Sequence, residues 1–338
     1  YKAIICGLRH LKDINGSSVD PNIILGLSGG VDSSVVAALC VKAFGKDKVY
    51  AFNMPSQFNS NKTKDAAAQV AKALDIFYMT QSIGNIVDAN KIALQPLLNI
   101  LGKDISSLQY ENIQAKVRGT SLLSNMSAII GGVMTNNGNK LEVALGYATL
   151  YGDVNGAIAP IADLTKVEVF EMARYLNFVV FGKEVIPAAM IPDGLMQFRE
   201  DQIKPSAELK DEQIDPMKFG YHDALLGAYM DYVKKGPEDV LNWWLEGNLH
   251  EKLNISYDML VRWNIIDAKE FVKDLEWFTS LISKSVFKRV QSPPIIITSK
   301  TAFGYDLRES QLPFYKTQKY LDLEQLVLKK GSYIKCHT

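Results

Sequence analysis

Cysteine is scarce in this 338-residue chain: Cys6, Cys40 and Cys336 lie far apart and share no metal-ligand spacing. That pattern excludes a cysteine-held metal and fits a reduced, cytoplasmic protein. Cys6 and Cys40 both fall in apolar helical patterns, so both read as buried thiols. An excess of one charge is missing too. Lys plus Arg number 37 and Asp plus Glu number 37, which leaves no general surface for nucleic acid or membrane. No apolar run approaches the roughly 18 residues of a membrane helix, and no signal-peptide pattern opens the chain. There is no internal repeat and no low-complexity tract. The first residue is Tyr1 rather than Met, from which a missing preceding part is expected.

What is present is ordinary globular composition, 47% hydrophobic and 22% charged, enough for one large domain with an elaboration. Ile4, Ile5, Leu8 and Leu11 recur at helical spacing and Gly16 stops them. Residues 22–27 read as a short buried strand that runs into Ser28-Gly29-Gly30-Val31-Asp32-Ser33, and a helix follows to Gly45. A second strand over 48–53 ends at Met54-Pro55-Ser56. A helix over 63–74 leads to a third strand over 76–80, and residues 132–135 supply a fourth. Alternating strands and helices predict an α/β, Rossmann-like, doubly wound parallel sheet. Residues 152–165, rich in Gly, Ala, Asp and Pro, read as a long functional loop. From about residue 215 the pattern becomes helical and aromatic. Trp243, Trp244, Trp263 and Trp277 there read as packing residues rather than a stacking platform. The expected division is a core over 1–214 and a helical C-terminal extension over 215–338.

The loop after the first strand carries the chemistry. A strand-to-helix turn aims backbone N–H groups and the positive end of the helix dipole at one spot, which suits an anion. Gly29 and Gly30 permit close backbone approach, and Ser28 and Ser33 offer hydroxyls. A Walker loop needs Lys-Ser/Thr after its last Gly, where Val31-Asp32 stands instead. The G-x-G-x-x-G dinucleotide fingerprint is not supplied either. Gly26-x-Ser28-x-Gly30 also fits a nucleophile elbow, but only about 25 residues precede it, with no oxyanion-forming strand among them. Its triad histidine would have to be His222 or His250. What remains is the SGGxDS pyrophosphate loop of ATP pyrophosphatases, which this segment resembles at Ser28, Gly29, Gly30, Asp32 and Ser33. An acid beside a triphosphate is otherwise awkward, since like charges 4 Å apart repel by roughly 4 kcal/mol at an effective dielectric near 20. A Mg²⁺ ion between them reverses the sign, so Asp32 reads as a metal ligand. Taken alone, the segment also fits a Gly-rich turn with Asp32 capping the helix.

Further segments resemble the NAD synthetase family, and particularly the synthetase portion of its glutamine-dependent form. Residues 111–119, from Glu111 through Arg118 to Gly119, resemble that family's ENIQARxRG helix. Residues 136–142, ending in Glu142, resemble its TTGNKSE turn. Residues 146–153 match its GYATLYGD stretch almost letter for letter. Asp163-Leu164-Thr165-Lys166 resembles its D-x-x-K segment, and residues 204–209 its PPSAEL. These cover roughly 1–210 in the family's order. Beyond residue 215 the resemblance thins to Phe287-Lys288-Arg289, Pro293-Pro294 and Asp306-Leu307-Arg308.

The resemblance implies an adenine nucleotide alpha hydrolase-like fold. It also implies a two-step reaction, in which ATP adenylates the nicotinate carboxylate of deamido-NAD⁺ and ammonia then displaces AMP to give NAD⁺. ATP would be held by Gly26, Ser28, Gly29, Gly30, Asp32, Ser33, Met54, Pro55, Ser56, Lys166 and Ser206. Asp32 and Lys166 would be catalytic, and Asp32 with Glu142 would bind Mg²⁺. Deamido-NAD⁺ would meet Asn112, Lys116, Arg118, Asn139, Asp153 and Lys288. Without the resemblance, Glu142 reads as a solvated helix residue, Lys166 as a first-turn lysine, Arg118 as a surface charge and 54–56 as a strand-end turn. The chain departs from the family pattern at Lys116, which loses an arginine fork, at Asn136 and Asn137, which replace threonines, and at Leu141, which replaces a serine. The family's dinucleotide lies across a dimer interface, so a homodimer is implied. Its glutamine-dependent members carry an N-terminal glutaminase domain that this chain does not contain, so the chain is expected to be the synthetase part of a longer enzyme or a free-standing relative that uses ammonia. The alternatives are another ATP pyrophosphatase, GMP synthetase-like or tRNA-thiolating, and a non-catalytic adenine-nucleotide-binding module.

Overall fold

The structure is a computed structural model, and it describes residues 1–14, 19–194, 197–206, 208–210, 215–232, 235–303 and 314–336. Four parallel strands form one sheet in the order β3-β2-β1-β4, with β1 at Asn22–Gly26, β2 at Val49–Asn53, β3 at Phe77–Thr80 and β4 at Gly132–Met134. Ile23 pairs with Val49 on one side and with Val133 on the other, so β1 is central. Its side chains divide between two cores as a period of two requires. Ile23 and Leu25 enter one apolar cluster, and Ile24 enters the other with Phe52, Met54 and Leu123. All three β1 residues are fully buried, each contributing about 1.5–3 kcal/mol.

The first core lies under α1 (Lys2–Arg9), a short turn α2 (Leu11–Ile14), α3 (Val31–Phe44) and α4 (Asn61–Leu74). The helix α3 is apolar on every side and buried on every side, as a central helix should be. Cys40 lies inside it and is buried. Cys6 is exposed, which corrects the expectation of a buried thiol. It points away from the face of α1 that buries Ile4, Ile5 and Leu8. The second core is covered by α5 (Gly84–Leu101), α6 (Ser107–Lys116), a π-helical turn over Val117–Leu123, and α7 (Ser124–Ile130). This cover is thin. Of the 18 residues of α5 only Val87 is buried, and Ile92, Leu97 and Ile100 face outward.

After β4 come α8 (Lys140–Leu145) and α9 (Lys166–Tyr175). Single parallel bridges, Thr135 to Ile158 and Ala159 to Ile295, carry the sheet edge on past β4. The remaining chain is helical: α10 (Tyr221–Gly227), α11 (Pro237–Glu246), α12 (Leu249–Lys252), α13 (Tyr257–Arg262), α14 (Ala268–Lys284), α15 (Val286–Arg289) and α16 (Gln318–Lys330). Trp244 is fully buried and stacks on Phe271 at 5.4 Å. Trp243, Trp263 and Trp277 pack partly buried against the same core, so these tryptophans are packing residues. One continuous apolar cluster joins Ile23 and Leu25 of the sheet to Phe271, Leu275 and Phe278 of α14. The expected boundary at 214 and the Asp306-Leu307-Arg308 segment fall outside the described residues.

Candidate functional site

The carboxyl ends of β1, β2 and β4 open into a cavity of about 360 Å³, the size expected for a small-molecule site. It lies where the strand order reverses, between β1 and β4, which is where open parallel sheets bind ligands. Leu27 still pairs with β2, donating its N–H to Phe52 at 2.9 Å, and the chain then turns into α3 with Gly30 as the N-cap. The turn is tied by its own hydroxyls. Ser33 Oγ donates to the Gly30 carbonyl at 3.1 Å and stands 3.1 Å from Ser28 Oγ, which accepts the Gly30 N–H at 3.3 Å. Gly29 is required here: its φ is +89°, and a Cβ would stand 2.0 Å from the Thr63 carbonyl oxygen.

Asp32, in the first turn of α3, faces Lys166 at the start of α9 and Glu142 in the first turn of α8. The Lys166 ammonium donates to Asp32 Oδ2 and lies 3.9 Å from Glu142 Oε1. Asn139 holds this arrangement from behind. Its Nδ2 donates to Asp32 Oδ1 at 3.1 Å, its Oδ1 caps α8 by accepting the Leu141 and Glu142 N–H groups, and its N–H donates to Glu142 Oε2 at 3.2 Å. Burial in the cavity wall, and then the charge of Asp32, push the Glu142 carboxyl up from 4.5 to about 8, with Lys166 opposing. Burial alone would lower the Lys166 pKa, but Asp32 and Glu142 overcome it and hold the ammonium above its ordinary value. It stays charged.

A second wall comes from the segment after β2. Arg118 Nε donates to the Met54 carbonyl at 2.9 Å, and its Nη2 donates to Asn59 Oδ1 at 3.2 Å. Asn59 Oδ1 also accepts the Ser56 N–H at 2.8 Å, while its Nδ2 donates to Glu208 Oε2 at 2.9 Å. Thr63 Oγ1 donates to the same Glu208 oxygen at 2.8 Å, so one carboxylate joins the residue 204–209 segment to the start of α4. The Glu208 N–H donates to Ser206 Oγ at 3.1 Å. The π-helical turn that carries Arg118 lies against the residue 149–153 loop so closely that a Cβ on Gly119 would stand 1.9 Å from the Gly152 carbonyl oxygen. On the far side, Lys288 Nζ donates to the carbonyls of Gly146 and Ala148 at 2.7 and 2.6 Å, and Asp153 Oδ1 accepts the Thr149 N–H at 2.6 Å. Asn137 Nδ2 donates to the Gly26 carbonyl at 2.9 Å, and Asn136 Nδ2 donates to the Asp153 carbonyl at 2.6 Å.

The cavity wall brings together Gly26, Ser28, Gly30, Asp32 and Ser33 with Met54, Arg118, Glu142, Asp153, Lys166, Ser206 and Lys288. Gly29, Pro55, Ser56, Asn112, Lys116 and Asn139 are not in that wall. Asn112 accepts a hydrogen bond from Thr149 Oγ1 at 2.8 Å, Lys116 is exposed, and Asn139 is fully buried as a cap. Asn59, Thr63 and Glu208 do line it and were not sequence candidates, and so do Asn136 and Asn137, which the sequence marked only as departures from the family pattern. Asn139 and Glu142 did carry a readable signal, since Asn-x-x-Glu is a capping box.

The donor set suits a hard dication. Asp32 and Glu142 both offer carboxylate oxygens to the cavity, and burial, followed by the charge of Asp32, raises the Glu142 pKa. Among the described residues no group of three or more His, Cys, Asp or Glu side chains could hold a metal ion, so the protein offers at most these two carboxylates to one.

The family model described as NAD synthase matches residues 9–260. A glutamine-dependent NAD(+) synthetase from Synechocystis sp. is 34% identical over 90% of this chain and 47% of its own length. The chain spans about half the length of the curated relatives it matches. Among solved structures, the glutamine-dependent NAD+ synthetase from Acinetobacter baumannii in complex with ADP is 26% identical, with a TM-score of 0.51 over 91% of this chain and 48% of that one. The glutamine-dependent NAD(+) synthetase from Cytophaga hutchinsonii, 15% identical, shares the fold with a TM-score of 0.67 over 96% of this chain and 55% of that one.

Proposed function

Since the chain belongs to the NAD synthase family, we propose that its cavity adenylates the nicotinate carboxylate of deamido-NAD⁺ with ATP and passes the acyl group to ammonia, giving NAD⁺, AMP and pyrophosphate. The observation that carries this reading is the meeting of Asp32, Glu142 and Lys166 beside the Ser28–Ser33 turn. In the first step a carboxylate oxygen of the substrate bonds to the α-phosphorus, and the bond to the departing pyrophosphate breaks. The hydroxyls of Ser28 and Ser33 and the start of α3 hold the pyrophosphate, and the buried Lys166 ammonium faces the charge that develops there. In the second step ammonia attacks the acyl carbon, AMP leaves, and the nitrogen gives up a proton. Asp32 and Glu142 are the residues that would hold Mg²⁺, which neutralises phosphate charge when bound. No covalent enzyme intermediate is needed, so catalysis rests on positioning and charge.

By donating to the Met54 carbonyl and to Asn59 Oδ1, Arg118 braces the segment whose residues Met54, Pro55 and Ser56 lie beside the adenine in this reading. Lys288 and Asp153, across the cavity, lie where the dinucleotide is placed in this reading. The outward apolar residues of α5 supply a face that a second copy of the chain would cover, in keeping with a homodimer. In this reading ammonia comes from glutamine through the part of the longer glutamine-dependent relatives that this chain does not span. Ammonium should therefore support turnover of the chain where glutamine alone does not, and vigorous turnover with pure glutamine would refute that assignment.

The test mixes the chain with ATP, Mg²⁺, deamido-NAD⁺ and ammonium and follows products by chromatography. Equal NAD⁺ and AMP are expected, both abolished by Asp32→Ala. AMP without NAD⁺, or full activity in Asp32→Ala, would overturn the reading.

A further inference from the structure

We propose that the helical region after residue 215 serves as the seat of the site lysine, with Asp223 and Phe219 as positioning residues for Lys166. This rests on the role given to Lys166 above. Lys166 is the first residue of α9, and an N–H at that position has no partner within its own helix. Here it donates to Asp223 Oδ1 at 2.7 Å. The other carboxylate oxygen, Oδ2, accepts the Gly220 N–H at 2.7 Å and closes the first turn of α10. One buried carboxylate thus ends two helices and meets the positive end of both dipoles. The same segment also reaches the other end of the lysine: the ammonium lies 5.3 Å from the centroid of the Phe219 ring.

That segment is itself fixed to α14. The Lys218 N–H donates to His222 Nδ1 at 2.9 Å, which leaves the imidazole proton on Nε2, and Nε2 donates to Asp274 Oδ2 at 3.0 Å. Lys218 Nζ pairs with Asp274 Oδ1 at 2.6 Å, and the imidazole stacks on Trp277 at 5.5 Å. From α14 to His222, from His222 to Asp223 and from Asp223 to Lys166, each link is a buried polar contact or a neighbour in the chain. The lysine is therefore gripped at its backbone and at its ammonium before Asp32 and Glu142 meet it. A cap could have served any of the first N–H groups of α9. This one serves the residue whose ammonium faces the phosphates, so its loss should fall on turnover more than on substrate binding.

The test compares the full chain with Asp223→Asn, which keeps one acceptor but sets an NH₂ group against an N–H donor, and with Phe219→Leu, which keeps apolar bulk and removes the ring. Turnover with ATP, deamido-NAD⁺ and ammonium is expressed per nucleotide-binding site, counted by calorimetric titration, at a temperature well below each variant's Tm. For both variants kcat should fall on the order of tenfold or more, while KM for ATP stays within about threefold. Unchanged kcat per binding site, with only a lower Tm, means the contacts are purely structural and overturns the proposal. Phe219→Leu reads the ammonium end alone and decides the matter if Asp223→Asn does not fold. Lys166→Met runs alongside. If it turns over at the wild-type rate, or the wild type forms no AMP, the functional reading falls. If Lys166→Met is impaired and the other two are not, the positioning inference alone falls.

Discussion

Removing the carboxylate of Asp163 tests how the C-terminal segment is fastened to the sheet. Asp163 and Lys140 are both almost fully buried, and their charged atoms stand 3.0 Å apart. Asp163 Oδ2 also accepts the N–H groups of Thr298 and Ser299 at 2.6 and 2.7 Å, and Oδ1 accepts Ser299 Oγ at 2.9 Å. Asp163→Leu removes the carboxylate that stands 3.0 Å from the buried Lys140 ammonium, which keeps its bonds to Ser299 Oγ and the Thr301 carbonyl. Breaking one side of such a pair costs about 3–5 kcal/mol. Unfolding entropy of about 2.1 cal/mol/K per residue gives about 0.7 kcal/mol/K for 338 residues, so Tm should drop by about 4–7 °C. Adding Lys140→Met removes the ammonium that has lost this carboxylate and should restore part of the loss. The Thr298 and Ser299 N–H groups still lack the carboxylate they met, so recovery stays incomplete. Scanning calorimetry of the wild type, the single variant and the double variant reads all three. A single variant within about 1 °C of wild type, or a double variant no more stable than the single, would refute the reasoning.

Glu142 predicts a pH dependence with a definite sign. Its pKa rises from 4.5 in the ordinary state to about 8 when folded, so between those values the folded chain binds a proton that the unfolded chain has lost. This group's contribution to stability is therefore full below pH 4.5, declines as pH rises towards about 8 and is level beyond. Thermal melts from pH 5 to 9 should show the decline in wild type and lose that component in Glu142→Gln, and parallel curves would refute it. At the covering face, Ile92→Glu with Ile100→Glu should leave a folded monomer by sedimentation, because both side chains point outward on α5. An unchanged mass would mean that the face is not the contact.

The elements that could be read from the sequence are those set by short-range pattern. The strand at 22–26, the turn at 28–33 and the burial of Cys40 follow from apolar runs and glycine punctuation within a few residues. Cys6 lay in an equally apolar stretch, but a helix with one buried stripe hides only some of its positions, and Cys6 is off that stripe. Asn139 was legible in principle as a cap, though the resemblance drew attention to ligand binding. Asn59 and Glu208 are 149 positions apart and carry no local signal for each other. The same holds for Asp223 and Lys166, 57 positions apart, and so the helical region after residue 215 could be recognised as helical without its task being visible.

The charge arrangement ties these observations together. A chain with equal numbers of acids and bases concentrates Asp32, Glu142 and Asp215 around one ammonium, Lys166. Near neutral pH the site balances that surplus with the lysine and with the proton retained on Glu142. A triphosphate brought to such a wall adds several negative charges at distances where each like-charge pair costs on the order of 4 kcal/mol. In the proposed reading it settles there with a dication that takes the place of the proton. Proton and Mg²⁺ therefore compete for one carboxylate, and the apparent Mg²⁺ affinity for ATP binding should rise with pH up to about 8 and then level off. In Glu142→Gln that slope should vanish along with most of the affinity. A binding module with no need to carry a metal between two carboxylates would show neither effect, so this one titration separates the enzyme from the simple nucleotide binder.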